Sequence, residues 1–245
     1  MARITPKTYI YAHRGASGYA PENTLEAFRL AAEMGAEGVE LDVHFSKDGH
    51  VMVIHDEKID RISNGQGRVC DYTREELLAF DFGFQFYKER RGIRIPTLDE
   101  VYELLASTGL VVNVEIKSAS PDMPAACDAI ARKCGMQDRV IYSSFNHLQL
   151  VRMKEVDPNA FTAPLYHFNM IRPWDYCLNM QANASHPSQN QLRVFPEYTE
   201  RCHAMGLRVH PWTINEEEDM RFAFDADCDA IITNYPDIAL RLRDE

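Results

Sequence analysis

Gly38-Val39-Glu40-Leu41-Asp42-Val43 alternates apolar and acidic residues. In an extended strand, successive side chains point to opposite faces. Val39, Leu41 and Val43 therefore share one face, while Glu40, Asp42 and the following His44 share the other. The apolar face suits packing under helices. The acidic face suits a polar pocket, because neighbouring carboxylates in a closed core repel one another and lose their hydration. A strand that is apolar outward and acidic inward fits the mouth of an α/β barrel, where strand C-termini carry the functional groups.

Working outward, the same design recurs. Asn113, Glu115 and Lys117 share a face opposite Val112, Val114 and Ile116. Tyr9–Ala12 ends in His13-Arg14-Gly15, and Val51–Ile54 ends in His55-Asp56. Further short apolar runs fall at Leu110–Ile116, Arg139–Ser143, Phe161–Leu165, Ala182–Ser185, Arg208–Thr213 and Ala230–Thr233, eight strands in all with the first two. Helical patterns lie between them. Asn23 or Thr24 caps Leu25–Met34, and Thr97-Leu98-Asp99-Glu100 reads as a capping box. Met123–Cys134, Asn146–Val156, Glu197–Met205, Asn215–Asp225 and Asp237–Leu242 follow. Repeated β-then-α with short connections predicts an α/β fold, a (β/α)8 TIM barrel. Asn169 to Met180 shows no clear period.

One stretch, about 46–96, departs from the alternation. Lys47-Asp48-Gly49 is a hairpin signal between Val43-His44-Phe45 and Val51–Ile54. Polar, glycine-containing sequence follows. It reads as a small insertion after the second strand, where it would shape access to the mouth.

The 245 residues suit a single barrel domain, 45% of them apolar and 26% charged. A net charge of −11 argues against nucleic-acid or anionic-membrane binding. An anionic substrate would then need local cations. No apolar run approaches the roughly 18 residues of a membrane span. Met1–Lys7 shows no apolar leader, and none of the six cysteines forms a C-x-x-C pair. Free thiols in a reducing cytoplasm is the expectation. The sequence leaves room for a homo-oligomer.

Three converging carboxylates, Glu40, Asp42 and Glu115, suit one hard divalent cation, Mg2+ or Ca2+. Without an ion, Arg14 or Lys117 would have to neutralise Glu40. His13 and His55 suit a general acid and a general base on either side of a reacting phosphorus. Arg14 offers a planar fork to a phosphate and Lys117 a point charge. Asp56 either orients His55 or opens the next turn.

Taken in order, His13-Arg14-Gly15, Pro21-Glu22-Asn23-Thr24, Glu40-Leu41-Asp42-Val43, His55-Asp56, Glu115-Ile116-Lys117 and Thr233-Asn234-Tyr235-Pro236-Asp237 resemble the glycerophosphodiester phosphodiesterases. The resemblance spans residues 9 to about 240. It implies a TIM barrel that hydrolyses glycerophosphodiesters to sn-glycerol 3-phosphate and an alcohol with a divalent metal. By position it implies Glu40, Asp42 and Glu115 as metal ligands, His13 and His55 as the acid/base pair, and Arg14 and Lys117 on the phosphate. Glu22 would support the site, and Trp212 would pack on the glycerol. Asn234 stands where Asp is frequent, and His210-Pro211 where aliphatic residues are common. His186 is a further candidate at the mouth, and Gly15 is expected to let the backbone turn close to the substrate. A related alternative is a lysophospholipase D-type activity on lysophospholipids, with His167–Met180 or the insertion receiving the chain. An alternative from another class is a barrel that binds a phosphorylated metabolite without turnover.

Overall fold

A computed structural model describes residues 8–245. The reading of Met1–Lys7 therefore lies outside the described residues. The strands are β1 (Tyr9–His13), β2 (Gly38–Phe45), β3 (Val51–Val53), β4 (Val111–Ile116), β5 (Val140–Ser144), β6 (Phe161–Tyr166), β7 (Ala184–Pro187), β8 (Arg208–Val209) and β9 (Ala230–Thr233). Eight of them run parallel in the order β8-β7-β6-β5-β4-β2-β1-β9. Three backbone hydrogen bonds then close the seam between β8 and β9: Asp229 N–H to Val209 O, Ile232 N–H to Pro211 O and Ile214 N–H to Ile232 O, at 2.9 to 3.1 Å. The sheet is thus a nearly closed (β/α)8 barrel.

Register follows the alternation read from β2. Asp42 pairs with Glu115, Glu40 with Asn113 and His13 with Glu40. These residues face inward, so the acids meet near the mouth. Below them Tyr11, Ile141, Ala163, Ala184, Ala230 and Ile232 fill the barrel interior. Gly38 is required there, because a Cβ would sit 2.6 Å from the Tyr11 ring. The outward set, Val39, Leu41, Val43, Val112, Val114 and Ile116, packs with Phe28, Ala31, Leu98, Val101 and Leu105. Each such fully buried aliphatic side chain contributes about 1.5–3 kcal/mol.

The helices are α1 (Leu25–Glu33), α2 (Arg74–Leu77), α3 (Phe84–Tyr87), α4 (Leu98–Leu105), α5 (Met123–Lys133), α6 (His147–Val156), α7 (Pro173–Asn179), α8 (Gln189–Val194), α9 (Tyr198–Ala204), α10 (Glu217–Asp225) and α11 (Pro236–Asp244). Thr24 caps α1 through the Ala27 amide. Thr97 and Glu100 form the reciprocal capping box of α4.

Between β2 and α4 the chain forms the expected hairpin: β3 runs antiparallel to β2, with Val43 opposite Val53. The short helices α2 and α3 follow around an apolar cluster of Met52, Ile54, Ile59, Val69, Leu77, Phe82 and Ile95. Asp81 organises the rest, accepting hydrogen bonds from the amides of Gly83, Arg91 and Gly92 at 2.9, 2.6 and 2.7 Å.

Three local expectations differ from the structure. The strand expected over Arg208–Thr213 is regular only at Arg208–Val209, since Pro211 has no amide to donate. The strand expected to start at Ala182 starts at Ala184, because the Ala182 amide closes α7 on Cys177 O. The stretch without a period contains α7, begun by Pro173 in its first turn. Among the described residues, no helix is long and apolar enough to cross a membrane.

Candidate active site

The site begins where β1 ends. Arg14 takes a left-handed backbone (φ 57) and turns its amide onto Glu40 Oε2 at 3.0 Å. Such a conformation in a non-glycine residue costs about 1–3 kcal/mol and persists only where the surroundings hold it. Gly15 follows at φ +79, and a Cβ there would meet the Ala27 backbone at 2.7 Å. The glycine is therefore needed for the approach of α1 as well as for the left-handed turn.

The Arg14 guanidinium lies between two acids. Nη1 donates to Glu22 Oε1 at 3.0 Å, and Nε is 3.5 Å from Asp42 Oδ2. Asn23, also left-handed, donates Nδ2–H to Asp42 Oδ2 at 2.9 Å. Pro21-Glu22-Asn23-Thr24 thus serves the site with Glu22 and Asn23, and the helix with Thr24.

Glu40, Asp42 and Glu115 are buried together, and one oxygen of each lies within 4.8 Å of the others. Asp42 Oδ1 is buried without a hydrogen-bond partner. Burial and the charges of Asp42 and Glu115 hold Glu40 well above the usual carboxylate range. Burial and then Asp42 push Glu115 up to about 7, against the pull of Lys117. Burial opposes ionisation of Asp42 too, but Arg14 and its other cationic neighbours prevail and keep it low. Arg14 and Lys117 thus leave the cluster short of positive charge.

The two imidazoles are anchored alike. His13 Nδ1 donates to Asn234 Oδ1 at 2.7 Å, leaving Nε2 toward the pocket, 3.9 Å from Glu40 Oε2. Burial, with help from the Arg14 charge, pushes His13 down to about 4. His55 Nδ1 donates to Asp56 Oδ1 at 2.6 Å, and Lys117 Nζ reaches His55 Nε2 at 3.1 Å. Lys117 also meets Glu115 Oε1 at 2.9 Å. Of the two sequence readings for Asp56, orientation of His55 is the one its hydrogen bond supports.

Arg61 carries no signal in the sequence beyond being a cation in a polar stretch. Its guanidinium binds both oxygens of Glu22 at 2.7 Å and Asp56 Oδ2 at 2.5 Å. The contacts make a closed ring in which acids and cations alternate as far as Asp56: Asp42, Arg14, Glu22, Arg61, Asp56, then His55, Lys117 and back to Asp42, the last step 3.9 Å.

Inside the ring, a cavity of about 80 Å³ is lined by His13, Glu40, His55, Asn113, Ser143 and Trp212, with Phe145, Leu165 and Ile232 among its apolar walls. Asn113 Oδ1 and Ser143 Oγ are buried there without partners. Trp212 is fixed by its indole N–H on His186 O at 2.9 Å, and Phe145 packs edge-on against it at 5.3 Å. Asn113 shares the inward face read for Glu115, whereas Ser143 of β5 and Phe145 just after it were not expected. His186 does not reach the mouth. It is buried in the barrel, with Nε2 2.9 Å from His210 Nδ1. His44 turns aside as well, binding His55 O through Nε2 at 3.1 Å.

The model of the glycerophosphoryl diester phosphodiesterase family matches residues 13–238. The chain belongs to that family. A glycerophosphodiester phosphodiesterase of Caldanaerobacter subterraneus subsp. tengcongensis is 41% identical over 239 residues, covering 96% of this chain and 98% of the relative. One from Bacillus altitudinis is 36% identical, covering 97% and 99%. Among solved structures, a phosphodiesterase of Oleispira antarctica in complex with the product sn-glycerol-3-phosphate superposes with a TM-score of 0.90 at 29% identity, over 97% of both chains. The matched range runs from His13 in the first motif quoted above to Ile238 just past the last.

Proposed function

We propose that the chain hydrolyses glycerophosphodiesters to sn-glycerol 3-phosphate and an alcohol, as one catalytic domain over residues 1–245. The carrying observation is the convergence of His13, His55, Arg14, Glu40 and Glu115 on one pocket, with Asp42 beside the two acids and Lys117 against Glu115 and His55. The full-length likeness to relatives of that name supports it, as does the neighbour solved with the product.

The residues fit a divalent cation: the donors are all oxygens, they lie close together, and Asp42 Oδ1 lacks a partner. Glu40, Asp42 and Glu115 would hold Mg2+ or Ca2+, hard ions that prefer such ligands. When bound, the ion supplies positive charge that polarises a phosphoryl oxygen. Arg14 and Lys117 hold the other phosphate oxygens, and Trp212 covers the glycerol. His13 Nε2 takes the proton of the attacking hydroxyl, that of water directly, or that of the glycerol 2-position to give a cyclic phosphate that water then opens to glycerol 3-phosphate. The new O–P bond forms as the P–O bond to the alcohol breaks, and His55 passes a proton to the departing oxygen. Asn234 and Asp56 keep the two rings turned for these transfers. The six free cysteines support the expected reducing, cytoplasmic setting.

Incubation with glycerophosphocholine and Mg2+ or Ca2+, followed by a coupled dehydrogenase, should report glycerol 3-phosphate. No product with either ion would reject the proposal.

One observation favours a second substrate class, the lysophospholipids. An aromatic path leads outward from Trp212 through Phe145 and His167 to Phe168, with ring separations of 5.3, 6.0 and 5.8 Å. It ends in an apolar lip, Phe168 57% and Ile171 87% exposed. Turnover of lysophosphatidylcholine as fast as glycerophosphocholine would establish that class; none would remove it.

A further inference from the structure

The inner pocket is lined by the residues placed on the glycerol and the phosphate, among them Arg14, Trp212 and both imidazoles. The alcohol on the other side of phosphorus needs its own place, and its oxygen must touch the group that protonates it.

Three further cavities bear on that question. One of about 530 Å³ lies between Tyr9 and Arg208, the first residues of β1 and β8, at the opposite end of the barrel. One of about 200 Å³ lies beside the mouth near Ser17, Glu22, Arg61 and Phe86, and has no imidazole. The third, a groove of about 660 Å³, lies against the outer side of His55 and Lys117. Among the described residues it alone combines room with contact to His55. Its walls come from the end of β2, the segment after β3 and the loop after β4.

Asp56 and Glu57 line the groove with carboxylates that are already paired, Asp56 with His55 and Arg61 and Glu57 with Arg68, and Lys117 is the one lysine or arginine of the lining. Ser118 and Ser120 each accept one backbone amide, at 3.2 and 3.4 Å, which leaves both hydroxyl hydrogens to donate. Phe45, Val69 and Ala119 supply short apolar walls. Hydroxyl donors beside short apolar walls suit a compact polar alcohol better than a long hydrocarbon chain.

We propose that this groove is the subsite for the departing alcohol, and that it takes a compact polar one. The assignment rests on the diesterase reading. It also explains a division of labour: His13 lines only the inner pocket, whereas His55 lines both spaces and can meet the alcohol oxygen.

The test compares two diesters in the full-length, metal-supplemented enzyme: glycerophosphocholine, which would fill the groove, and glycerophosphomethanol, which would leave it empty. Ala119 is exposed on the groove wall, so Ala119→Trp fills the space without disturbing a core. The ratio of kcat/KM for the choline over the methyl diester should fall by roughly tenfold or more, the size of effect a filled subsite exerts on discrimination. A second probe needs no bulky substitution. Cys70 lines the groove and is the exposed cysteine among the described residues. Alkylation with a bulky maleimide should lower the same ratio, and Cys70→Ser should remove the sensitivity. A ratio unmoved by both probes, with both diesters still turned over, would overturn the groove and leave the diesterase reading standing. Failure of the unmodified enzyme to cleave either diester would overturn both.

Discussion

Arg61 grips both carboxylate oxygens of Glu22, at 2.7 Å each, although the two residues stand 39 positions apart. The same guanidinium holds Asp56, so one side chain from the segment after β3 steadies both His55 and Arg14. Supporting contacts of this kind are typically worth about 10- to 100-fold in activity. Arg61→Ala should lower kcat into that range. Arg61→Lys should recover little, because an ammonium cannot span two oxygens of one acid and reach a second. Steady-state kinetics beside thermal melts would check this; kinetics unaffected at equal Tm would show that the ring is idle.

The proton-transfer roles predict larger losses. His13→Ala and His55→Ala should each reduce turnover by about 10² to 10⁴ while the melting temperature stays near that of the parent. A folded variant with near-normal turnover would refute the corresponding role.

Asn234 offers a finer probe of His13. Its Oδ1 accepts from both the His13 ring and Ser17. Asn234→Asp replaces a neutral acceptor by an anion and should raise the His13 value from about 4. If His13 is the base, the acid limb of the kcat/KM profile moves to higher pH. A limb that stays in place would assign it to another group.

Chelation should abolish activity, with recovery on adding Mg2+ or Ca2+. Stability supplies an independent readout. In the metal-free chain Glu115 sits near 7, above its unfolded value. Between the two values the folded state holds more protons, so stability declines as pH rises from about 4.5 to about 7 and stays reduced above that. A bound cation removes that penalty. Adding the metal should therefore raise Tm by more at pH 8 than at pH 5, and an equal increment at both would contradict the carboxylate site.

Asp81 tests the segment that carries Arg61. Its buried carboxylate collects three amides between Gly83 and Gly92. These bonds hold its proton affinity down even though burial opposes the charge. Asp81→Asn should cost about 1–3 kcal/mol, the penalty for unpaired buried donors. Limited proteolysis should then cut faster within 84–92, and an unchanged cleavage rate would dismiss the role.

The alternating period of β2 and β4 was enough to place Glu40, Asp42 and Glu115 on one inward face, because strand geometry is local. His13 and His55 were legible for a similar reason: each ends an apolar run, and barrel strands end at the mouth. The caps at Thr24 and Thr97 were equally readable, since a cap depends on residues three apart. The short β8 and the helix α7 were not: Pro211 withholds the amide that would continue β8, and the local Ala182–Cys177 closure of α7 lies in a stretch with no apolar period.

By itself, then, the sequence determined the strand count, the barrel and the identity of the residues meeting at its mouth. The tertiary structure alone decided their partners. It placed Arg61 between Glu22 and Asp56, buried His186 against His210, turned His44 away and opened the groove beyond His55. Periodicity is written in adjacent residues, whereas hydrogen bonds between residues tens of positions apart exist only once the closed sheet fixes the distances between loops.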